Sequence, residues 1–191
     1  MKHTKGDPGY LNHQLKIEIL KTFVMFGIVV AILLLGISQT GDRMNLLTVV
    51  AACGSLPACK CLVGVIARFP YRSMKKEFTD EIISKTENIT IAFDMIVTSE
   101  EKIMPIDCVA ISGNTVCGYA SNAKVDTSYA AKHIKKILVQ NGFTSVSVKI
   151  FDGYTAFLSR AEGMNSIAAI DQFDNKRHEE GIRNIILNIS M

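Results

Sequence analysis

Two long apolar stretches dominate the first third of the chain. Residues 22–38 carry no charge, and residues 44–67 carry one, on Lys60. The polar sequence QTGDR at residues 39–43 separates the two stretches. A helix needs about 20 apolar residues to cross the core of a bilayer, and about 17 is the lower end of that range. The pattern therefore predicts a hairpin of two transmembrane helices within residues 17–69.

After residue 70 the pattern changes to short segments with helical or strand periodicity. Helices are predicted at 75–85, at 127–140 and within 164–190, where a break is expected at 171–175. Strands are predicted at 89–98, 104–112, 115–120, 143–151 and 154–158. Hairpins pair antiparallel strands, whereas a helical crossover joins parallel ones. The expected fold class of this part is therefore α/β, with a mixed sheet.

The polar residues 1–16, which contain a Pro-Gly break, predict a flexible leader in front of the hairpin. A cleaved signal peptide is not expected, because no small-residue cleavage site follows the first apolar stretch and a second stretch comes soon after. The predicted organisation is a leader at 1–16, a transmembrane hairpin at 17–69 and a soluble domain at 70–191. The last part has the size of one ordinary domain.

Basic residues flank the predicted hairpin on its two outer sides. Those before it are Lys2, Lys5, Lys16 and Lys21, and those after it are Arg68, Arg72, Lys75 and Lys76. The connecting loop carries only Arg43. Because positive charge stays on the cytoplasmic side, we expect a two-pass membrane protein with both termini cytoplasmic. Lys60 is interpreted as snorkelling toward that same side, and a buried functional lysine is the alternative.

The charge balance of the predicted soluble domain is close to neutral. Of the 21 Lys and Arg and 18 Asp and Glu, residues 70–191 hold 14 and 15, leaving 7 and 3 for residues 1–69. A nucleic-acid-binding domain would concentrate basic charge, so a nucleic-acid partner is not expected. Lys132, Lys135 and Lys136 are interpreted as a solvated basic helix face beside His133. Contact of that face with anionic lipid headgroups is the alternative.

The cysteines and histidines do not form a recognised metal-binding pattern. The five cysteines are Cys53, Cys59, Cys61, Cys108 and Cys117. Their spacing matches neither C-x-x-C nor a zinc site, and they are interpreted as free thiols in a reducing compartment. His178-Glu179-Glu180 lacks the second histidine of H-E-x-x-H and is interpreted as a solvated helix face. No cofactor and no metal are expected.

One segment carries a family resemblance. Residues 105–151 combine Ile106-Asp107 in a strand, a turn at Gly113-Asn114, the helix at 127–140 and the hydrophobic strand at 143–151. This order resembles the nuclease-related domain, which has a restriction-endonuclease-like fold. The resemblance implies that fold for the soluble domain, and it implies that Asp107 is the candidate catalytic residue.

The sequence departs from that family where its second motif should stand. Residues 118–122 read GYASN instead of a Glu-x-Lys pattern, and Lys124 lies beyond the strand. Metal-dependent phosphodiester cleavage needs at least two acidic oxygens for Mg²⁺ and usually a lysine. Asp94 is the other acidic candidate. The catalytic assignment therefore depends on whether acidic groups or a lysine converge on Asp107.

Two functions are consistent with these patterns. The first is a small integral membrane protein whose cytoplasmic α/β domain binds a protein partner, or a second copy of itself, without catalysis. The alternative is a divergent membrane-tethered nuclease that depends on a metal, or another hydrolase. The first is the expectation, because the sequence combines an intact domain with no complete catalytic motif.

Overall fold

The computed structural model describes residues 4–41, 45–171 and 175–190. The chain divides into two compact units. The helical unit comprises Leu11–Arg72. The α/β unit comprises Ser73–Met191 together with Met1–Tyr10.

The helical unit consists of α1 (Tyr10–Thr40) and α2 (Leu46–Arg68). Both helices are long and apolar enough to cross a membrane. Few of their side chains are buried. In an apolar stretch of 18 residues, 6% is buried in the first helix and 11% in the second. A core helix of a soluble protein buries one face, and this is not what the two helices do.

The two helices contact each other through small side chains and at their polar ends. Ala51 and Ala58 of α2 are fully buried, and a Cβ added at Gly54 would lie 3.5 Å from Val29 Cγ2. Such close approach stabilises helix pairs in lipid, where no hydrophobic force draws helices together. At the other end of the pair, Arg68 forms an ion pair of 3.6 Å with Glu18.

The α/β unit is a four-stranded mixed sheet with helices on both faces. The strands are β1 (Thr90–Thr98), β2 (Ile103–Ser112), β3 (Thr115–Tyr119) and β4 (Ser147–Phe151), in the order β1-β2-β3-β4. The first two pairings are antiparallel and the third is parallel. The helices are α3 (Lys76–Lys85), α4 (Thr127–Gln140), α5 (Tyr154–Asp171) and α6 (Lys176–Asn188). The predicted α/β class with a mixed sheet is thus confirmed.

Two hydrophobic cores cover the two faces of the sheet. On one face, α4 and α6 bury Ile134, Leu138, Ile182 and Ile186 against the strands. On the other face, α3 and α5 bury Ile82, Phe157, Ala161 and Met164. The sheet is therefore the middle layer of three.

The predicted strand at 154–158 is wrong, because α5 begins at Tyr154. The Asp152-Gly153 turn and the β-forming residues after it suggested a returning strand. Phe157, Ala161 and Met164 are instead buried at helical spacing, so the tertiary core decides the conformation of this segment.

The outer edge of β1 is covered by segments from both ends of the chain. Gly6 O accepts a hydrogen bond of 2.9 Å from Phe93 N, and Ser190 forms an isolated bridge with Val97. Lys5 Nζ also donates to Ser190 O. Within the expected flexible leader at 1–16, residues 4–9 thus contact the α/β unit, and the chain is helical from Tyr10 onward. The backbone groups of an uncovered edge would be available for pairing with another chain.

Candidate functional site

Asp107, the predicted candidate, lies half-buried in β2 at the position opposite Asp94 of β1 in the strand register. The registered pairs on either side are Phe93 with Cys108 and Met95 with Ile106, so the two acids occupy opposing positions. Asp94 is 3% exposed and has a φ of +55°. A positive φ is uncommon for a residue with a side chain and costs free energy.

Both carboxylates accept backbone hydrogen bonds from other parts of the α/β unit. Asp107 Oδ2 accepts from Ser121 N at 2.6 Å, which fixes the loop after β3. Asp94 Oδ1 accepts from Met74 N at 3.3 Å, at the entry to α3. These two bonds give each acid a structural role. The structure does not bring Lys124 to them: its side chain is exposed, and its backbone N donates to Asn122 Oδ1 at 3.0 Å.

Cys108 and Cys117 lie in the interior of the sheet. Burial raises the pKa of the Cys108 thiol well above its ordinary value, and the charges of Asp107 and Asp94 raise it further. Burial also raises the pKa of Cys117, although a hydrogen bond from Arg160 opposes the shift. Thiols with a raised pKa are poor nucleophiles, so neither cysteine is suited to covalent catalysis. Across the described ranges, no group of three or more His, Cys, Asp or Glu side chains is arranged to hold a metal ion.

The role of Asp107 can be tested by substitution. Asp107→Ala removes the acceptor of Ser121 N and should lower the free energy of unfolding by about 1–2 kcal/mol. If the carboxylate is structural, Mg²⁺ should leave the melting temperature of both wild type and variant unchanged. The measurement is thermal unfolding of the full chain in detergent, with Asp107→Asn as the control that keeps an acceptor oxygen. A Mg²⁺-dependent rise in wild type that Asp107→Ala abolishes would support the hydrolase alternative.

A cleft of about 640 Å³ opens at one end of the sheet, between α5 and α6. The turn between β2 and β3 contributes Ser112, Gly113 and Thr115 to its lining. The cleft carries charges of both signs, since Glu87, Arg160 and Lys176 also line it. The sequence did not predict this site, because its residues come from four separate segments, at 87–88, 112–115, 160–169 and 175–179.

Glu179 joins α6 to the turn at the base of the cleft. Its side chain accepts from Gly113 N through Oε1 and from Thr90 Oγ1 through Oε2, both at 2.7 Å. With only 6% of its surface exposed, Glu179 is buried. The interpretation of His178-Glu179-Glu180 as a solvated face is therefore wrong for Glu179. His178 and Glu180 are exposed, and His178 Nε2 lies 2.8 Å from Asn114 Oδ1.

The last turns of α5 expose apolar side chains beside the cleft. Ile167 is 55% exposed and Ile170 is 79% exposed. Ala169, between them, is exposed as well. Isolated apolar residues on a surface need no explanation, but a group of them beside a polar cleft is typical of an interaction site. We call Ile167, Ala169 and Ile170 the α5 patch.

A second cluster of polar side chains ties α3 to α5. Tyr154 Oη donates to Glu81 Oε2 at 2.6 Å, and Lys85 Nζ lies 3.0 Å from Glu81 and 2.8 Å from Glu162. The hydrogen bonds from Tyr154 and Lys85 lower the pKa of Glu81. Burial and the bond to Glu81 raise the pKa of Tyr154. All four groups have partners within the cluster, so it holds two helices together.

No family model, no curated protein and no solved structure matches this chain. A functional assignment therefore rests on the residues and their geometry.

Proposed function

We propose that the protein is a two-pass membrane protein whose cytoplasmic α/β unit is a non-catalytic module that binds a second copy of the same chain. The observation that carries the proposal is the α5 patch beside the cleft. The proposal has two parts, the membrane location and the binding surface, and different features support them.

The membrane location is supported by the apolar surface of the helical unit. Phe23, Leu34, Leu46 and Leu56 are between 62% and 80% exposed, and many other apolar side chains of α1 and α2 are exposed as well. Removing one such side chain from water contributes about 1.5–3 kcal/mol. A surface of this kind is suited to lipid, and the basic residues outside the hairpin favour cytoplasmic termini.

The binding surface is supported by the position of the α5 patch and by the charges of the cleft beside it. Ile167 and Ile170 lie one turn apart and therefore share a face of α5. The neighbouring cleft residues Glu87, Arg160 and Lys176 supply both signs of charge. A surface that combines an apolar centre with both charges can be complementary to itself, as a two-fold symmetric dimer requires. A second copy is therefore the occupant that we propose.

Substitution of the α5 patch tests this function. Ile167→Glu combined with Ile170→Glu should weaken dimerisation by more than about 1,000-fold. Each isoleucine buried in the interface is worth about 2 kcal/mol, so each copy loses about 4 kcal/mol, and about 1.4 kcal/mol corresponds to a factor of ten. The measurement is the mass of the full chain in detergent by light scattering over a range of concentrations. Both side chains are exposed in the monomer, so the substitutions should leave the fold intact.

Ile103→Glu is the matched control, since Ile103 is 51% exposed at the start of β2. It should leave the dimer unchanged. A wild-type chain that remains monomeric at every concentration would exclude a second copy as the occupant. A dimer that persists in the double variant would place the interface elsewhere.

A further inference from the structure

The outer face of α4 is basic and carries no acidic residue. Lys132, Lys135 and Lys136 are exposed, and Val139 on the same face is 41% exposed. The sequence of α4, TSYAAKHIKKILVQ, contains neither Asp nor Glu. Ala130, Ile134 and Leu138 on the opposite face are fully buried. The helix is thus fixed to the sheet with its three lysines toward solvent.

The charge around α4 does not neutralise these lysines. Asp126, the N-cap of α4, accepts from Tyr129 N at 3.0 Å and lies 3.7 Å from Lys102 Nζ. The bond from Tyr129 N and the charge of Lys102 lower the pKa of Asp126. None of the three lysines forms an ion pair with a carboxylate in the described parts of the chain. We call Lys132, Lys135 and Lys136 the α4 basic face.

The link between the two units is short. α2 ends at Arg68, and the main part of the α/β unit begins at Ser73. Only residues 69–72 therefore lie between α2 and the α/β unit. From Arg68 to Ser73 a fully extended chain spans at most about 18 Å. If α2 crosses a membrane, as proposed above, the α/β unit stays near the headgroups. Lysines are attracted to anionic lipids there, within about one Debye length of the surface.

We propose that the α4 basic face binds the anionic headgroups of the membrane that holds the hairpin. This inference rests on the membrane location proposed above and is independent of the α5 patch. Each lysine near an anionic surface changes the occupancy of the bound orientation about fivefold. Three lysines together therefore favour binding on the order of 100-fold. Lipid composition would then control how the α/β unit, and with it the α5 patch, is oriented.

A fluorophore on α4 measures this contact in the full chain. The fluorophore is attached to the new thiol of a Gln140→Cys variant. In this variant Cys53, Cys59 and Cys61 are replaced by alanine, and the full chain is reconstituted into nanodiscs. Lipids with a nitroxide in the headgroup quench the fluorophore when α4 lies at the surface. We expect about twofold more quenching with phosphatidylserine present than with phosphatidylcholine alone, and we expect high salt to remove the difference.

Charge reversal identifies the residues. The triple variant Lys132→Glu, Lys135→Glu and Lys136→Glu should show the same low quenching with and without phosphatidylserine. A control with the same change in net charge, Lys124→Glu, Lys149→Glu and Arg177→Glu, alters exposed basic residues outside α4. It should keep the difference between the two lipids.

Three results would overturn the proposal. They are equal quenching of wild type in both lipids, a lipid dependence that survives in the triple variant, and a response to a single-stranded polynucleotide but not to phosphatidylserine. The last would assign the face to nucleic acid. A chain that fails to enter nanodiscs at all would refute the membrane location instead, so the two failures are distinguishable.

Discussion

Replacing Glu179 with leucine should lower the free energy of unfolding of the α/β unit by about 3 kcal/mol. The carboxylate is 6% exposed and accepts from both Gly113 N and Thr90 Oγ1 at 2.7 Å. Leucine has a similar size but leaves both donors without an acceptor. A buried polar group without its partner costs about 1–3 kcal/mol, and bonds to a charged group are the stronger ones. Amide hydrogen exchange of β2 in the full chain, held in detergent, reports this loss.

Two further variants isolate the cause. Glu179→Gln keeps an oxygen for Gly113 N, and its amide group can donate to Thr90 Oγ1, so the loss should be about 1 kcal/mol. Glu180→Leu changes the adjacent, exposed residue of α6 and should have an effect within about 0.5 kcal/mol. Equal losses for Glu179→Leu and Glu180→Leu would show that the two hydrogen bonds contribute nothing.

Labelling of introduced cysteines should give an all-or-none answer on the membrane topology. An impermeant maleimide added outside intact cells should modify a cysteine at Gly41 and should not modify one at Asn122. Gly41 follows α1 in the predicted outer loop, and Asn122 is exposed in the loop between β3 and α4. The distribution of Lys and Arg around the hairpin is the physical reason for this expectation.

The labelling has an internal control. Permeabilised cells should label the cysteine at Asn122 as fully as intact cells label the one at Gly41. Labelling of the Asn122→Cys variant from outside intact cells would show that the topology is the opposite of the predicted one. Labelling of both positions only after permeabilisation would contradict a hairpin that crosses the membrane.

In the α/β unit, the elements that depend on neighbouring residues could be predicted from the sequence. The Gly113-Asn114 turn and the helix at 127–140 depend on neighbours within a few residues, and their prediction is confirmed. The segment after Gly153 was assigned from five residues, too few to show the helical spacing of Phe157, Ala161 and Met164. A longer window would have favoured the helix that the structure contains.

The candidate sites could be predicted only in part, because their hydrogen bonds join residues that are distant in sequence. Glu179 precedes Ile182 and Ile186 by three and seven residues, which places it on the buried stripe of α6. That spacing indicates that Glu179 is buried. Its two hydrogen-bond partners, Thr90 and Gly113, are 89 and 66 residues away in the chain, so no local pattern predicts them. Asp107 was singled out as a candidate catalytic residue, and in the structure its carboxylate accepts a hydrogen bond from Ser121 N.

The covered edge of β1 has a consequence for how the protein is made. Residues 4–10 leave the ribosome before the hairpin, β1 follows it, and Ser190 is translated 185 residues after Lys5. Contacts so distant in sequence form late and slowly. The contacts of residues 4–10 with β1 and Ser190 therefore form only after α1, α2 and nearly the whole α/β unit have been synthesised. Until then the outer edge of β1 in the nascent chain is unpaired. Unpaired edges make folding intermediates prone to aggregation, so this is the interval in which we expect a chaperone to bind the chain.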